Sequence, residues 1–325
     1  MATYLTTKLL SFNNAEQFKE SFSEPEPATV GYIFIGNHVP YANESSPDSI
    51  VDTLSAEKAA WDNVFAGKRI TGNDAQLVIP RVDWTANTKY KQYDDRVALD
   101  DLLTGNTSLN VKPMYVYTSQ RNVYKCLSNN YSSMSIVQPN TTITTTHFQT
   151  SDGYIWKYMY TLTGEEQLRF LTKDYMPVKT ISINDSSLQW QVQQDAVPGA
   201  IYNIVVTDIG GGYINDSISV NIHGDGQGAN AYAVRDTVNT TIQSIVVDAK
   251  GSGYSYANVS IVSSRGANAN ARVVISPPGG HGADALHELG GSYLMINPEL
   301  KGTEGNKILA KNDYRQIALL KDPYL

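Results

Sequence analysis

The stretch IYNIVVTDIGGGYINDSISV, which begins at Ile201, is followed by a second stretch of similar pattern, IQSIVVDAKGSGYSYANVSI, which begins at Ile242. Five positions match at a constant spacing of 41 residues, pairing Ile204, Gly210, Gly212, Tyr213 and Ser219 with Ile245, Gly251, Gly253, Tyr254 and Ser260. Three more match at a spacing of 38, pairing Gly228, Ala229 and Asn230 with Gly266, Ala267 and Asn268. Runs of β-branched residues bounded by glycine are typical of strands joined by turns, so each stretch predicts strand, glycine turn, strand, loop and strand.

Two such units are too few for a self-supporting solenoid, so we expect one small Gly-rich β-module at 190–276. The prolines and glycines of PPGGHGAD (277–284) mark its end. Elsewhere, runs such as GYIFIG, MYVYTS, NVYKCLS and YIWKYMYTL predict further strands. The sequence therefore predicts a mainly β protein with a minor α component. We expect a multi-domain, β-sandwich-like body of residues 1–185 and 285–325, into which the module is inserted.

Two or three short helices are expected. Helical spacing of apolar residues marks the segments 14–22, 55–67 and 164–175. Asn14 and Ser55 are the expected N-terminal caps. Gly67 is expected to end the second helix and Pro177 to stop the third. One more short strand is predicted in the tail, within 312–324.

The composition argues against several classes of partner. The net charge is −7, with 32 acidic and 25 basic side chains, which does not favour nucleic-acid binding. No segment approaches the roughly 20 apolar residues of a membrane helix, so we expect no membrane insertion. The N-terminus lacks the apolar core of a signal peptide, so we expect the chain to be made and assembled in a reducing cytoplasm. Cys126 is the only cysteine and is expected to be a small buried apolar residue. The 21 tyrosines favour broad polar contacts with other proteins.

Motifs for catalysis or cofactor binding are weak. GDGQG (224–228) lacks the strand-to-helix setting of a dinucleotide loop, and no G-x-S-x-G elbow occurs. His281 and His287 are six residues apart, near Asp284 and Glu288, but a metal site would need a third ligand and the usual zinc spacing is missing. We expect no catalytic, cofactor or metal site. A pair of carboxylates suited to glycoside hydrolysis stays open, since sequence spacing does not give spatial separation.

A stripe of aromatic residues follows one predicted strand at every second position. Its members are Tyr154, Trp156, Tyr158 and Tyr160. Residues at period two share one face of a strand. Such a face could stack on sugars or bases, but a core or subunit interface is the favoured interpretation, because the stripe is large and contiguous.

Four segments carry a resemblance to a known family. DAQLVIPRVDW (74–84) resembles the segment that ends in IPR-x-DW in the baseplate wedge protein of contractile-tailed bacteriophages, the gene product eight family of T-even phages. SDGYIWKYMYTL (151–162) resembles the aromatic strand of that family, and NVYKCLS the strand just before it. YRQIALLKDP (314–323) resembles a later R-Q-I strand, and the order is kept. The Gly-rich module is not part of the family's pattern, and the family continues beyond the position of Pro323.

The resemblance implies a non-enzymatic structural protein of the virion, located in the tail baseplate. Members are mainly β, form homodimers, and contact neighbouring wedge proteins and the proteins that anchor tail fibres. Arg81 and Asp83, beside Pro80 and Trp84, are expected to form an ion pair that fixes a docking corner. The expected interface or structural anchors are Pro80, Arg81, Asp83, Trp84, Tyr154, Trp156, Tyr158 and Tyr160.

Two other classes of function remain. A receptor- or carbohydrate-binding tail protein would expose the aromatic stripe along a groove. A tail-associated glycosidase would need a cleft with two carboxylates about 5 to 10 Å apart, one of them with a raised pKa.

Overall fold

The computed structural model describes residues 8–22, 29–47, 49, 51–214, 217–299 and 313–323. The chain is mainly β, with 39% strand and 17% helix arranged around several sheets, so the predicted fold class is confirmed. Within the described ranges, no helix is both long enough and apolar enough to cross a membrane.

The described residues form six α-helices, more than the two or three expected. They are α1 (Lys8–Glu20), α2 (Leu54–Asp62), α3 (Leu99–Leu103), α4 (Gly164–Phe170), α5 (Leu188–Gln194) and α6 (Ala285–Glu288). Short 3-10 helices lie at Gly72–Asp74 and Thr107–Leu109. The strands are β1 (Gly31–Gly36), β2 (Val64–Ile70), β3 (Ala75–Pro80), β4 (Lys89–Tyr90), β5 (Val111–Lys112), β6 (Tyr115–Tyr117), β7 (Asn122–Ser128), β8 (Phe148–Gln149), β9 (Ile155–Thr161), β10 (Tyr175–Pro177), β11 (Ile201–Gly211), β12 (Ser219–Gly224), β13 (Gln227–Asp236), β14 (Thr241–Ser252), β15 (Ala257–Val262), β16 (Ala267–Ile275), β17 (Tyr293–Ile296) and β18 (Gln316–Lys321).

The chain divides into two compact units. One comprises Met1–Val78 with Ser292–Leu325, and the other comprises Ile79–Gly291. The sequence predicts a different division, which is a body of 1–185 and 285–325 with an inserted module at 190–276. That division is about which parts fold independently, and it stays a prediction.

The first unit contains the antiparallel sheet β18-β1-β2. The strand predicted at GYIFIG is β1, and the strand predicted in the tail is β18. Ile33 of β1 lies opposite Leu319 on one side and Lys68 on the other. In the same unit β17 pairs with the start of β3, where Tyr293 lies opposite Val78.

The helix predicted at 55–67 is too long. It ends at Asp62, and the next residues, which alternate in exposure, form β2. Its cap is Thr53, not Ser55, because the Thr53 side chain accepts a hydrogen bond from the backbone N–H of the third residue after it. Gly67 lies within β2, where a Cβ would come within 2.4 Å of the Phe34 ring. This glycine allows close packing of a ring rather than ending a helix.

The other two predicted helices also have different bounds. The first begins at Lys8, so Asn14 lies inside it and is not its cap. The third, α4, has a capping box formed by Thr163 and Glu166 and stops at Phe170. Leu171 is already extended, so the helix ends well before Pro177, which belongs to β10.

The second unit is built around the antiparallel sheet β6-β7-β9-β8. The predicted strand NVYKCLS is β7, and it is buried along almost its entire length. Cys126 lies opposite Trp156 in the register of β7 and β9, and both are fully buried. Burial raises the pKa of the Cys126 thiol well above its ordinary value, so the thiol is protonated and unreactive, as expected for a core residue.

The remaining strands of this unit come from the two aligned stretches. β11 and β14 lie side by side and antiparallel, with Ile204 opposite Ile245. On its outer side β11 pairs with β16, and β14 pairs with β13. β12 pairs with β15, where Val220 lies opposite Ile261. In each of the pairs β11–β14 and β12–β15, one pair of positions 41 residues apart lies face to face.

The glycines of the two stretches have matching backbone conformations. Gly212 has φ +80° and Gly253 has φ +76°, which is the left-handed conformation that favours glycine in a turn. Gly210 and Gly251, at φ +57° and +60°, match as well. A side chain at these positions would be strained, which explains why glycine is required.

The spacing of 38 assigned to the third strands is wrong. Gly228 matches Asn268 in positive φ, at +78° and +64°. The Ala229 amide donates to the Tyr254 hydroxyl at 3.4 Å, and the Ala269 amide donates to the Tyr213 hydroxyl at 3.2 Å. The structural spacing is therefore 40. Ala-Asn-Ala occurs in two overlapping registers at 267–271, which made the sequence alignment ambiguous.

Candidate functional site

The aromatic stripe of β9 lies in the interior of the second unit. The four residues are between 0% and 2% exposed: Tyr154, Trp156, Tyr158 and Tyr160. Tyr90 adds an edge-on contact to the indole at 5.7 Å between ring centroids. The opposite face of the strand, with Lys157 and Met159, is buried too. The stripe is therefore part of the core, one of the two locations favoured from the sequence, and no sugar reaches these rings.

The predicted corner after β3 is held by one ion pair. Arg81 Nε lies 2.9 Å from Asp83 Oδ1, and the guanidinium lies 5.3 Å from the centre of the Tyr117 ring. Arg81 Nη1 also donates to the Thr172 carbonyl oxygen at 3.0 Å, and the Pro80 carbonyl accepts from a tyrosine hydroxyl at 2.8 Å. The side chains of Arg81 and Asp83 are 27% and 51% exposed. Their ion pair is present as predicted, with one side open to a partner.

Trp84 connects this corner to the aromatic strand. Its indole N–H donates to Ser135 Oγ at 3.2 Å, and that hydroxyl donates to Asp152 Oδ2 at 3.1 Å. The same carboxylate oxygen accepts the backbone N–H groups of Ile136 and Val137 at 2.8 and 2.9 Å. Partial burial tends to raise the pKa of Asp152, but its hydrogen bonds outweigh that effect and lower it. The carboxylate is therefore ionised, and its hydrogen bonds fix the loop at 135–137.

A cluster of buried charged side chains connects β7 with α6. Lys125 Nζ of β7 lies 2.6 Å from Glu288 Oε2 of α6, and the two side chains are 0% and 5% exposed. The ammonium also lies 4.2 Å from the centre of the Tyr93 ring. Glu288 Oε1 accepts the backbone N–H of Gly282 at 2.7 Å. His281 Nδ1 is 3.6 Å from the same carboxylate, and its ring meets the edge of Tyr93 at 4.6 Å.

The charges of this cluster follow from its surroundings. Burial, together with Lys125, lowers the pKa of His281 from 6.5 to about 3, so the imidazole is neutral at pH 7. Burial opposes ionisation of Glu288, but Lys125 outweighs it and lowers the carboxyl pKa from 4.5 to about 2. Burial lowers the pKa of Lys125 as well, and the charge of Glu288 opposes that shift, so the two side chains form a buried cation and a buried anion in contact.

Lys157 is a second buried cation, on the neighbouring strand β9. Its Nζ donates to the Thr144 carbonyl oxygen at 2.5 Å. Burial, with repulsion from Lys250, lowers its pKa to about 8. Perturbed lysines of this kind also occur in active sites. Here Lys125, Lys157 and His281 are at most 2% exposed, which keeps them out of reach of a substrate and favours a structural role.

The segment 281–288 does not bring its possible metal ligands together. His281 faces Glu288, whereas His287 Nδ1 lies 2.5 Å from Asp284 Oδ2 in a separate, more exposed pair. In the described residues, no three His, Cys, Asp or Glu side chains are grouped closely enough to hold a metal ion.

Sequence reasoning missed the charged core and one cavity. The lysines lie in strongly apolar strands, which was a usable signal, but Glu288 is 163 residues from Lys125 along the chain. The cavity has a volume of about 520 Å³ and lies where β7, β8 and β9 meet β11 and β14. Its polar lining residues come from segments that are far apart in the sequence.

No protein-family model matches the chain, and neither does any curated protein.

Proposed function

We propose that this protein is a structural component of a contractile phage tail baseplate wedge and that it is not an enzyme. The proposal rests on the ordered resemblance of four segments to that family. The observation that carries it is the hydrogen-bonded link from Trp84 through Ser135 to Asp152, at 3.2 and 3.1 Å. It joins the IPR-x-DW segment to the DGY segment, so two of the resembling motifs form one structural unit.

The role of these motifs in that unit is to build a rigid surface. Asp152 is hydrogen-bonded from several directions, and Tyr154 is fully buried just behind it. Arg81 contacts the Tyr117 ring, donates a hydrogen bond to the Thr172 carbonyl oxygen and pairs with Asp83. Both charged side chains nevertheless remain partly exposed. A pre-ordered ion pair loses little conformational entropy on binding, which favours docking. We propose this corner as a contact with neighbouring wedge proteins or with proteins that anchor tail fibres.

We also propose that the chain forms a homodimer and resides in the virion after assembly in the host cytoplasm. A permanent interface of this kind buries roughly 2,000 Å² or more in total. Light scattering of the purified chain at micromolar concentration is the direct test, and a dimer is the expected result. Wedge proteins of the same phage, added in purified form, should bind. A monodisperse monomer that binds none of them would contradict the proposal.

The corner has its own test. Asp83→Ala removes the anion of the exposed ion pair and should weaken binding to at least one wedge protein. Glu165→Ala is the matched control, since Glu165 is also an exposed acid paired with an arginine, at 3.8 Å, but lies on α4. Equal binding by both variants would exclude the corner as a docking site and leave the wedge assignment to the dimer experiment.

A further inference from the structure

The cavity of about 520 Å³ has the size of a small-molecule site, for which roughly 300–1,000 Å³ is usual. Its walls come from two parts of the second unit. The loop after β7, with β8 and β9, supplies one wall, and β11 and β14 supply the other. A ligand here would touch both the central sheet and the Gly-rich strands.

The lining of this cavity carries no ionised side chain. None of the described residues that line it is a lysine, arginine, aspartate or glutamate. His147 is the only titratable imidazole there, and burial, with repulsion from Lys250 and Lys157, lowers its pKa to about 4. The ring is therefore neutral at pH 7. Such a cavity favours neutral ligands, because no described side chain of its lining supplies a counter-ion for a charge that loses its hydration.

Amide side chains give the cavity a fixed set of hydrogen-bonding groups. Asn130, Gln149 and Asn203 donate their amide N–H groups to backbone carbonyl oxygens at 3.0, 3.3 and 3.1 Å. Within the described residues, their side-chain oxygens accept no hydrogen bond and remain available. In Gln92 it is the side-chain oxygen that is occupied, because it accepts a backbone N–H at 3.1 Å. Its NH₂ group remains available to a ligand. Acceptors and donors side by side are suited to hydroxyl groups, which act as both.

The loop at the cavity has an unusual backbone. Asn130, Tyr131 and Ser132 are three consecutive non-glycine residues with positive φ, at +46°, +59° and +59°. Left-handed conformations are costly for tyrosine and serine, and such strain concentrates at ligand-binding sites. Tyr131 lies in the cavity lining with 57% of its surface exposed, and its hydroxyl interacts with the side chain of Ser244 on the opposite wall.

We propose that this cavity binds a neutral saccharide. The amide groups of Gln92, Asn130, Gln149 and Asn203 hydrogen-bond sugar hydroxyls, and the Tyr131 ring packs against the C–H face of the sugar. Gln243 of β14, an exposed lining residue, adds an amide from the opposite wall. The site differs from the buried aromatic stripe, and it does not depend on the wedge assignment.

The test is titration of the isotope-labelled full chain with defined sugars, followed by NMR. The neutral probes are glucose, galactose, N-acetylglucosamine and their disaccharides. The charged probes are glucuronic acid and N-acetylneuraminic acid. We expect at least one neutral probe, and neither charged probe, to shift the resonances of cavity residues at millimolar concentration.

Two variants locate the site. Gln243→Ala and Tyr131→Ala should each weaken binding of the active probe by about threefold to tenfold, as expected for one lost hydrogen bond or ring contact. Gln227→Ala, an exposed strand glutamine of the same module outside the cavity, is the control and should bind normally. The proposal is overturned if no neutral sugar binds, if a charged sugar binds equally well, or if neither cavity variant differs from the control. A native spectrum of each variant shows that it is folded.

Discussion

The ion pair between Lys125 and Glu288 is almost fully buried in the core. Glu288→Ala would leave the ammonium buried without a carboxylate, and we expect a loss of about 3–5 kcal/mol in the free energy of unfolding. Asp83→Ala breaks the half-exposed pair with Arg81 and should cost only about 0–1 kcal/mol. Urea unfolding of both variants measures the difference. Similar small losses would mean that the cluster contributes little to stability.

The same cluster makes stability depend on pH. Between about pH 6.5 and 3, unfolded His281 binds a proton that the folded state excludes, and Glu288 behaves likewise between about 4.5 and 2. In both windows the unfolded chain binds more protons, so the stabilisation is fully present above pH 6.5 and is lost as the pH falls. We predict a steady drop in the urea midpoint from pH 6.5 downward.

His281→Phe should flatten this acid dependence between pH 6.5 and 4.5, since it removes the buried titrating ring. His287→Phe changes the more exposed histidine and should keep the slope. An unchanged slope in His281→Phe would show that other groups set the acid limit.

These residues show where sequence reasoning stops. Lys125 and Lys157 interrupt apolar strands, and a lysine in such a strand is usually solvated at an edge. Burial depends on a carboxylate far away in the chain, and no local pattern reveals it. His281 is a possible metal ligand by sequence, but the packing of Tyr93 and Tyr202 around its ring depends on contacts between distant segments.

At the scale of the elements, the glycine turns give a sharp prediction. Gly253→Val forces a β-branched residue to φ +76° and should destabilise the module by about 1–2 kcal/mol or more, although nothing crowds the new Cβ closer than 4.0 Å. Gly211→Val is the control, because its φ is not positive and a Cβ there meets nothing within 4 Å. Hydrogen exchange should show faster exchange in β11–β16 only. Equal protection in both variants would count against a conformational requirement at Gly253.

Strands were easier to predict than helices. β1 and β7 have the predicted bounds, because alternating or apolar runs between turn residues specify strands locally. The helix predicted at 55–67 is too long because alanine and lysine are good helix formers. From Val64 onward the chain pairs with β1 and is therefore a strand.

The corner ion pair was predictable from two residues of opposite charge at close spacing. The cavity was not, since its walls are far apart in sequence.

At the scale of the whole molecule, the ends of the Gly-rich region meet. The Ser276 amide donates to the Ala200 carbonyl at 2.9 Å, and the Ala200 amide donates to Ser276 Oγ at 3.0 Å. Deletion of 201–275, with a short glycine linker, should therefore leave a remainder with a cooperative unfolding transition. The loss of the ion pair between Arg272 and Asp94 should lower its stability. Calorimetry of the shortened chain measures this, and a chain without a transition would disprove the inserted-module division.

The strand order also has a consequence for synthesis of the chain. β11 has β14 on one side and β16 on the other, and β16 is the last strand of the region to be made. At roughly 5–20 residues per second, a ribosome needs several seconds to add residues 212–266. During that interval the newly made β11 presents an unpaired, valine- and isoleucine-rich edge, which invites association with other nascent chains. Slower initiation of translation, which spaces the chains apart, should therefore raise the yield of soluble protein more than a stabilising substitution would.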